Sequence, residues 1–428
     1  MFNVAGIQRR ENSITAQRSS HRPSNHPGMG CPASTAEALE RALSVAEFCA
    51  VNASTVDQTG AFPVAEFQKI VDAGLLALPL QPSLGGLGFG IDANTTYATL
   101  LLLKHLGKGN LAVGRVYEGH VNALQLIQTF GSSEQISAYA SDARDRHKIF
   151  GVWNAEAADG VTLISPKEGL SPKEGRYQLT GCKTFCSGAG YVERPFVNGR
   201  LSDGQWQMCV VPMDQVDTAA DPAWWQPSGM KATASYKVDF SGVELDSSSL
   251  IGKPGDYERQ PWLTAGVVRF AAVQLGGAEA LFDATRQYLQ LLNRTSDPYQ
   301  QTRLGQMAIA IESGRLWLQG AADAIVQYAP LFGGCPASPS LDFEQLVAYA
   351  NMVRTAIEQI CIDVIQLCER SVGTRGLLPP HPMERIIRDL TLYLRQPMFD
   401  AAIATVGQYT LAQSQSAHTL WSNHVSES

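Results

Sequence analysis

The chain has 428 residues, of which 45% are hydrophobic and 17% are charged, and this composition excludes a disordered protein. Its formal charge of −7, without a stripe of basic side chains among aromatic ones, argues against a nucleic-acid partner. The longest apolar runs fall far short of the roughly 20 residues that a bilayer-spanning helix needs, so we expect no membrane partner.

The eight cysteines do not form the paired spacings that are typical of metal sites or redox motifs. We therefore expect reduced thiols, a cytoplasmic location and no bound metal. Residues 1–35 contain several Arg and Ser residues but only one acidic residue, Glu11, which is loosely similar to a transit peptide. Because no apolar face accompanies these arginines, we predict a disordered tail instead.

Residues 36–147 predict an N-terminal helical domain. Apolar side chains recur there at helical spacing, as at Phe67, Ile70 and Val71. The glycine-rich run 84–90 interrupts this pattern, and glycine allows a tight loop that bulkier residues resist.

Residues 148–255 predict a β domain, either a barrel or a sandwich. Short runs rich in Val, Thr and aromatic residues alternate there with turn residues, as in 150–153 and 236–240. A Ser-Pro-Lys-Glu-Gly sequence occurs twice between Ser165 and Gly175, and we interpret it as a lengthened hairpin loop.

Residues 256–415 return to helical spacing in four long segments, which predict a four-helix bundle, and 416–428 form a tail. The fold class is therefore α+β and multidomain: an N-terminal helical domain, a central β barrel or sandwich, and a C-terminal four-helix bundle.

This domain order resembles the acyl-CoA dehydrogenase superfamily, and local motifs in the same order strengthen the resemblance. The motifs are the glycine loop 84–88, the segment 131–135, Trp153-Asn-Ala-Glu156 with Gly160, the run 181–187, and the glycine turn 373–376. Members of the superfamily are flavoproteins, so the resemblance implies a FAD cofactor, with FMN or a supplied reduced flavin as the alternative.

The resemblance also implies which residues contact the flavin. Phe185 would stack on its ring, and Ser187 would donate to its N5 atom. Arg375 would approach the flavin of a neighbouring subunit in a homodimer or homotetramer. The full set of implied cofactor-binding residues is Trp153, Ala155, Glu156, Gly160, Phe185, Ser187, Arg375 and Gly376.

The chain departs from the superfamily at both positions where a catalytic glutamate is usual. Dehydrogenation of an acyl thioester needs a carboxylate base, and Glu serves because an apolar pocket tunes its basicity. By the resemblance these positions are Pro397 and Val268, neither of which is acidic. Weak candidates for a replacement base are Asp400, Glu312 and Tyr393.

A branch of flavin-dependent monooxygenases shares the superfamily's fold and resembles this chain at further sites. The run Phe185-Cys-Ser-Gly188 is similar to a segment of that branch, and His120 falls where several members keep a histidine. Arg395 replaces a second histidine of the branch. An arginine there would clamp an anion or stabilise a charged flavin, or it forms a surface salt bridge.

Three hypotheses follow for function. The first is a FAD-dependent oxidoreductase acting on the CH–CH group of a small acyl or acyl-like substrate, with an electron-transfer partner. The second is a two-component monooxygenase that takes reduced flavin from a flavin reductase and uses O2. The third is a non-catalytic acyl- or flavin-binding scaffold. The candidates for the reacting side chains are His120, Ser187 and Arg395.

Overall fold

The computed structural model describes residues 30–165, 176–259, 262–326 and 343–421. Most of the predicted N-terminal tail, the repeated segment 166–175, the last two residues of the second predicted bundle helix and the end of the C-terminal tail lie outside the described residues.

The N-terminal part is helical, as the sequence predicts. Helix α1 begins after Ser34, whose hydroxyl accepts from the backbone N–H of Glu37, and it ends at Gly60, where φ is 62°. Asn110 caps α4 in the same way by accepting from Ala112. The helices are α1 (Thr35–Thr59), α2 (Val64–Asp72), α3 (Thr96–Gly109), α4 (Leu111–Phe130) and α5 (Ser133–Arg144).

The central part consists of two sheets. The larger sheet has the order β10-β6-β5-β2-β3-β9, with β1 paired in parallel to β5, and the smaller has the order β4-β8-β7. The rings of Trp153 and Phe240 lie 6.4 Å apart in the core that the two sheets share. The strands are β1 (Phe150–Trp153), β2 (Thr162–Ile164), β3 (Tyr177–Thr180), β4 (Cys182–Cys186), β5 (Arg194–Arg200), β6 (Trp206–Val210), β7 (Ala219–Asp221), β8 (Tyr236–Asp239), β9 (Val243–Leu245) and β10 (Leu250–Ile251).

The C-terminal part contains the four predicted helices, and two shorter helices follow them. Helix α6 lies at the centre, where its residues Ala271, Leu275 and Ala278 are fully buried. The helices are α6 (Trp262–Leu291), α7 (Pro298–Val326), α8 (Phe343–Gly376), α9 (Met383–Tyr393), α10 (Phe399–Ala412) and α11 (Ala417–Leu420). The predicted three-part fold is thus confirmed, with α10 added beyond the sequence prediction.

Helices α3 and α6 cross unusually closely and join the first and last parts of the chain. A Cβ atom on Gly107 would lie 2.3 Å from the carbonyl oxygen of Val273, and one on Gly276 would lie 2.1 Å from that of Lys104. Only glycine fits at these two positions because the two backbones themselves are in contact. In the described part of the chain, no helix is long and apolar enough to cross a membrane.

Candidate functional site

The end of β1 and the end of β4 come together and form what we call the strand platform, consisting of Trp153, Ala155, Phe185 and Ser187. The indole N–H of Trp153 donates to the carbonyl oxygen of Ser187 at 2.9 Å. The backbone N–H of Thr184 donates to the carbonyl oxygen of Ala155 at 2.8 Å. Two segments that the sequence analysis associated with one cofactor are therefore in direct contact.

A buried ion pair fixes the loop beside this platform. Lys183 is completely buried, and its ammonium lies 2.6 Å from the carboxylate of Glu156. Burial lowers the pKa of Lys183, whereas the Glu156 carboxylate opposes that shift. Gly160 lies under the same carboxylate, since a Cβ there would be 2.5 Å from Cδ of Glu156. The loop thus folds back onto β4 through residues that the sequence analysis had selected.

Phe185 projects from the sheet surface instead of packing into the core. Its φ is 52°, in the left-handed region, and the β4–β8 register shifts between Lys183 and Cys186. The side chain is 53% exposed, and its ring meets the ring of Trp224 edge to face at 4.9 Å. The sequence analysis missed Trp224 and Trp225, although two adjacent tryptophans outside any predicted strand were a visible signal.

The hydroxyl of Ser187 belongs to a chain of three hydroxyls. Ser187 Oγ lies 2.9 Å from Ser235 Oγ, which lies 2.7 Å from Thr233 Oγ1, and Thr233 donates to the carbonyl oxygen of Met230. Each hydroxyl has one proton. Because Thr233 uses its proton on Met230, Ser235 donates to Thr233 and Ser187 donates to Ser235. Ser187 therefore presents oxygen lone pairs, and not a proton, to its surroundings.

The structure keeps Arg375 and Gly376 apart from this cluster within one chain. They end helix α8 beyond Gly373, where the helix is interrupted at φ 60°. Arg375 is exposed and Gly376 is buried. Among the described residues, no hydrogen bond or ion pair joins Arg375 to the strand platform. This separation is compatible with the sequence expectation that Arg375 serves a neighbouring subunit.

His120 is a buried link between domains. Its Nε2 lies 2.9 Å from the carbonyl oxygen of Leu76, and its Nδ1 accepts from the backbone N–H of Phe150 at 3.1 Å. Burial lowers its pKa to about 4. Both ring nitrogens are occupied by main-chain groups, so His120 holds α4 against β1 and has no free nitrogen for a substrate.

Arg395 lies on the surface, where its side chain is 56% exposed and 3.6 Å from the carboxylate of Glu358. The salt-bridge alternative for Arg395 therefore describes this geometry. Two of the replacement-base candidates are also exposed: Asp400 lies on α10, and Glu312 pairs with Arg315 at 2.6 Å.

A row of polar side chains runs along one side of α4, which is otherwise mostly apolar. Arg115, Glu118, Asn122 and Gln125 recur at helical spacing, and we call them the α4 polar face. Glu118 is 3% exposed, pairs with Arg115 at 2.6 Å and accepts from the side-chain amide of Asn122. The sequence analysis missed this row, although its periodicity was available to it.

Two buried donors from other helices face this row. Arg269, on α6, donates to Asn122 and to the side-chain oxygen of Gln125, the latter at 2.6 Å. Tyr393, at the end of α9, has a buried hydroxyl without a partner among the described residues. Burial raises the pKa of Tyr393, and nearby Glu118 raises it further, so the phenol stays protonated and does not serve as a base.

A pocket opens beside the distal end of the α4 polar face, and we call it the α4–α6 pocket. The space there, counted together with open solvent at the mouth, is about 350 Å³. Val268, one of the two positions where the superfamily's base is usual, forms part of its wall. The lining consists of Gly90, Ile91, Asp92, Ala93, Thr96, Thr99, Leu100, Gln125, Val268, Arg269 and Ile325.

The strand platform fits the requirements of a flavin. A flavin needs an aromatic or apolar surface for its ring and a polar group near N5. Phe185 offers an exposed ring beside the small, exposed Ala155, and the Ser187 hydroxyl lies two residues further on. Gly188 and Gly190 follow with φ of 80° and 90°, and a Cβ on Gly190 would meet no atom within 4 Å.

Comparisons with known proteins agree with this fold. Residues 37–144 match the family model for the acyl-CoA dehydrogenase N-terminal domain, and residues 268–395 match the model for its C-terminal domain. Together these matches cover more than half of the chain, which therefore belongs to the acyl-CoA dehydrogenase superfamily.

Individual relatives fall in two groups. The chain is 25% identical to a dibenzothiophene monooxygenase of Rhodococcus qingshengii over 398 residues, covering 86% of this chain and 92% of that protein. It is 24% identical over 383 residues to YdbM of Bacillus subtilis, named as an acyl-CoA dehydrogenase, covering 85% and 94%. The FMN-bound structure of TdsC from Paenibacillus sp. A11-2 shares the fold with a TM-score of 0.78 at 21% identity, covering 90% and 100%.

The chain is thus a flavin-dependent oxidoreductase by family. The prediction of an enzyme with a flavin cofactor is confirmed, whereas the relatives support the monooxygenase alternative at least as well as dehydrogenation.

Proposed function

We propose that this protein is a two-component monooxygenase, which receives reduced flavin from a separate reductase and transfers one oxygen atom of O2 to a small molecule. The observation that carries the proposal is the absence of a carboxylate at both usual positions of the dehydrogenase base. Val268 is buried in the pocket wall and has an apolar side chain. Pro397 has no ionisable side chain, and its main-chain oxygen accepts from Arg354. Proton abstraction from an acyl thioester has no obvious base in this arrangement.

The remaining acids near these positions are engaged or exposed. Glu118 is buried, but its carboxylate accepts from both Arg115 and Asn122. Both of its oxygens therefore already accept hydrogen bonds from protein donors, so neither is directed at a substrate. Asp92 lies at the pocket mouth, where it caps a short turn by accepting from the backbone N–H of Asn94.

The hydroxyl chain gives independent support. Reduced flavin has a hydrogen on N5, whereas oxidised flavin has only a lone pair there. Because Ser187 already donates to Ser235, its oxygen is suited to accept from an N5–H group. To donate to the N5 lone pair of oxidised flavin, Ser187 would have to break its hydrogen bond to Ser235. The strand platform thereby favours the reduced cofactor that a reductase delivers.

When bound, the reduced flavin supplies the electrons that let one oxygen atom enter the substrate while the other leaves as water. The chain's own residues bind and orient it. Phe185 stacks on the ring, and the ion pair of Lys183 with Glu156 holds the supporting loop. The structural neighbour TdsC has FMN bound, and this supports FMN over the FAD that the sequence led us to expect.

The oligomer expected from the resemblance would use the C-terminal helices. Large apolar side chains there are strongly exposed, including Ile309 at 70% and Leu411 at 89%. Exposed apolar side chains of this size are often found at interfaces. We propose that association through these helices brings Arg375 to the flavin of another copy.

Flavin binding tests the proposal directly. The protein is titrated anaerobically with oxidised FMN and with photoreduced FMN, and FAD is titrated in parallel. We expect reduced FMN to bind at least about fivefold more tightly, since one additional hydrogen bond to the flavin contributes roughly 1 kcal/mol or more. In Ser187→Ala this preference should shrink, whereas Ser313→Ala on exposed α7 should retain it.

Dehydrogenation is the second candidate, favoured by the similarity to YdbM. Anaerobic mixing of the FMN- or FAD-loaded protein with butyryl-CoA, octanoyl-CoA or isovaleryl-CoA separates the two. Bleaching of the yellow flavin band by an acyl-CoA would establish the dehydrogenase and overturn the monooxygenase proposal. Tighter binding of oxidised than of reduced flavin would count equally against it.

A further inference from the structure

The guanidinium of Arg269 is buried, and the part of the chain that the structure describes gives it no ion-pair partner. The residue is 6% exposed, and its hydrogen-bond acceptors are the neutral side-chain oxygens of Asn122 and Gln125. Among the described residues, no carboxylate lies within ion-pairing distance of it. Burial lowers its pKa to about 10, which still leaves it charged at neutral pH.

The acids near it are engaged elsewhere. Glu118 is the nearby buried acid, but its carboxylate is bonded to Arg115 at 2.6 Å. Asp92, the acid in the pocket lining, is exposed and caps a short turn. A buried guanidinium without a directly paired carboxylate favours an anion or a strong acceptor as a further partner.

Arg269 also borders open space. It lines the α4–α6 pocket together with Gln125, while most of the remaining wall is apolar or hydroxyl-bearing. A buried guanidinium at a pocket wall is a suitable partner for a planar or tetrahedral oxyanion, which it binds through a pair of parallel N–H donors.

The pocket lies further along α4 than the contact of that helix with β1. The contact is at Gly119, where a Cβ atom would be 3.6 Å from Gly151. Gln125 is six residues further along α4, which corresponds to roughly 9 Å at the helical rise. Val268, a position where the superfamily's base is usual, lies in the same wall, so we assign the pocket to the substrate.

We propose that the α4–α6 pocket binds an anionic oxygen group of the substrate, a carboxylate or sulfonate, with Arg269 as its partner. The assignment of this group to the substrate rests on the proposed function, whereas the anion preference does not. Gln125 orients the guanidinium, and Tyr393 lies in the same polar region with a hydroxyl that has no partner in the described ranges.

Asp92 is the acidic group that faces the pocket, and it opposes an anion. It is exposed at the mouth, whereas Arg269 is buried. Water and salt screen an exposed charge far more strongly than a buried one. The buried cation therefore dominates at the closed end.

Matched fragments test the preference without flavin. Binding of acetate is compared with binding of acetone, and methanesulfonate with dimethyl sulfone, by ligand-observed NMR on the intact protein. Each pair exchanges a charged oxygen for a methyl group at nearly constant shape. The wild-type protein should bind at least one anion about tenfold more tightly than its neutral partner. The pair with the larger ratio of anion affinity to neutral affinity identifies the preferred group as a carboxylate or a sulfonate.

Two variants locate the effect. Arg269→Gln should abolish the preference, and Arg395→Gln, which removes an exposed arginine, should retain it. Should Arg269→Gln fail to fold, Thr96→Phe offers a second route, because it fills the pocket mouth and leaves the polar cluster intact. It should abolish binding of the anions.

Equal binding of anion and neutral partner by the wild type would overturn the inference. So would an undiminished preference in Arg269→Gln or Thr96→Phe. Loss of flavin affinity in Arg269→Gln, with unchanged anion binding, would assign the guanidinium to the cofactor and refute its role here. FMN titration of the same preparations keeps the two proposals apart: failed flavin binding with intact anion preference refutes the flavin site alone, and the reverse result refutes the pocket assignment alone.

Discussion

The strand platform and the α4 polar face differ in how the chain builds them. The platform consists of short contiguous segments, 153–156 and 183–187, joined by main-chain hydrogen bonds such as the one from Thr184 to Ala155. The polar face consists of single residues a helical turn apart, completed by Arg269 and Tyr393 from two other helices.

This difference separates two kinds of energetic role. Phe185 is exposed, so its ring contributes little to the folded state and is available to a ligand. Glu118 is buried between two donors, so it contributes strongly to stability whether or not a ligand is present. We therefore expect changes in the platform to affect binding and changes in the polar face to affect folding.

The largest expected effect is that of Glu118→Gln. Loss of the carboxylate leaves Arg115 without its ion-pair partner, which should lower the free energy of unfolding by about 3 kcal/mol. Urea unfolding measures this change. Flavin affinity should stay within about twofold of wild type.

Glu312→Gln is the matched control, because it removes a carboxylate from an exposed pair with Arg315. Such a pair contributes little to stability, and we expect no measurable change. A stable Glu118→Gln protein, or one that loses flavin affinity while remaining folded, would break the proposed separation between the two regions.

An intermediate effect is expected from His120, which connects the two regions. Its folded pKa of about 4 lies below the ordinary value of 6.5. The unfolded chain therefore binds a proton that the folded chain does not, and stability present above pH 6.5 is lost as the pH falls toward 4. Between pH 7 and pH 5 this loss amounts to about 2 kcal/mol.

Between pH 7 and pH 5, the free energy of unfolding should fall by about 2 kcal/mol less in His120→Gln than in the wild type. Urea unfolding at each pH measures this difference. His105, whose pKa burial also lowers to about 4, contributes to the acid loss in both proteins. His147→Gln, at an exposed position, is the control. An identical pH dependence in wild type and His120→Gln would show that this imidazole is not held neutral.

The smallest effect is expected from Phe185→Ala. Stacking on an aromatic ring contributes about 1 kcal/mol beyond buried area, so affinity for reduced FMN should fall roughly tenfold once the lost area is included. The urea midpoint should not change, because the ring is 53% exposed. Phe48→Ala, at an exposed position on α1, should change neither quantity, and unchanged FMN affinity in Phe185→Ala would remove the ring from the flavin site.

The sequence predicted the platform better than the polar face for a physical reason. Phe185 and Ser187 lie in one short segment, whose side chains stay together however the rest of the chain packs. Trp153 reaches them through its indole N–H, which donates to the carbonyl oxygen of Ser187. The role of Arg269 could not be predicted from its own segment. Its acceptors come from another helix, and the sequence of one helix does not show which neighbouring helix supplies them.

Other differences have equally local causes. His120 attracted attention as a histidine, but both of its nitrogens bond to main-chain groups that no side-chain pattern reveals. Arg395 follows the buried Leu394 in sequence yet lies on the surface, because α9 ends there. Helix α10 was missed as a separate element because Gln396 and Pro397 end the preceding pattern, and the chain resumes through Met398 at φ 64°.

The crossing of α3 and α6 at Gly107 and Gly276 affects how the molecule loses its structure. Backbones in direct contact leave no side-chain layer in which water enters gradually, and Lys104 closes the same crossing through an ion pair with Glu279 at 2.5 Å. The first and last thirds of the chain are therefore expected to open as one cooperative unit, with their amide hydrogens exchanging together. The chain has three parts in sequence, but we therefore expect two cooperative units in unfolding. One consists of the N-terminal and C-terminal helices together, and the other of the two sheets.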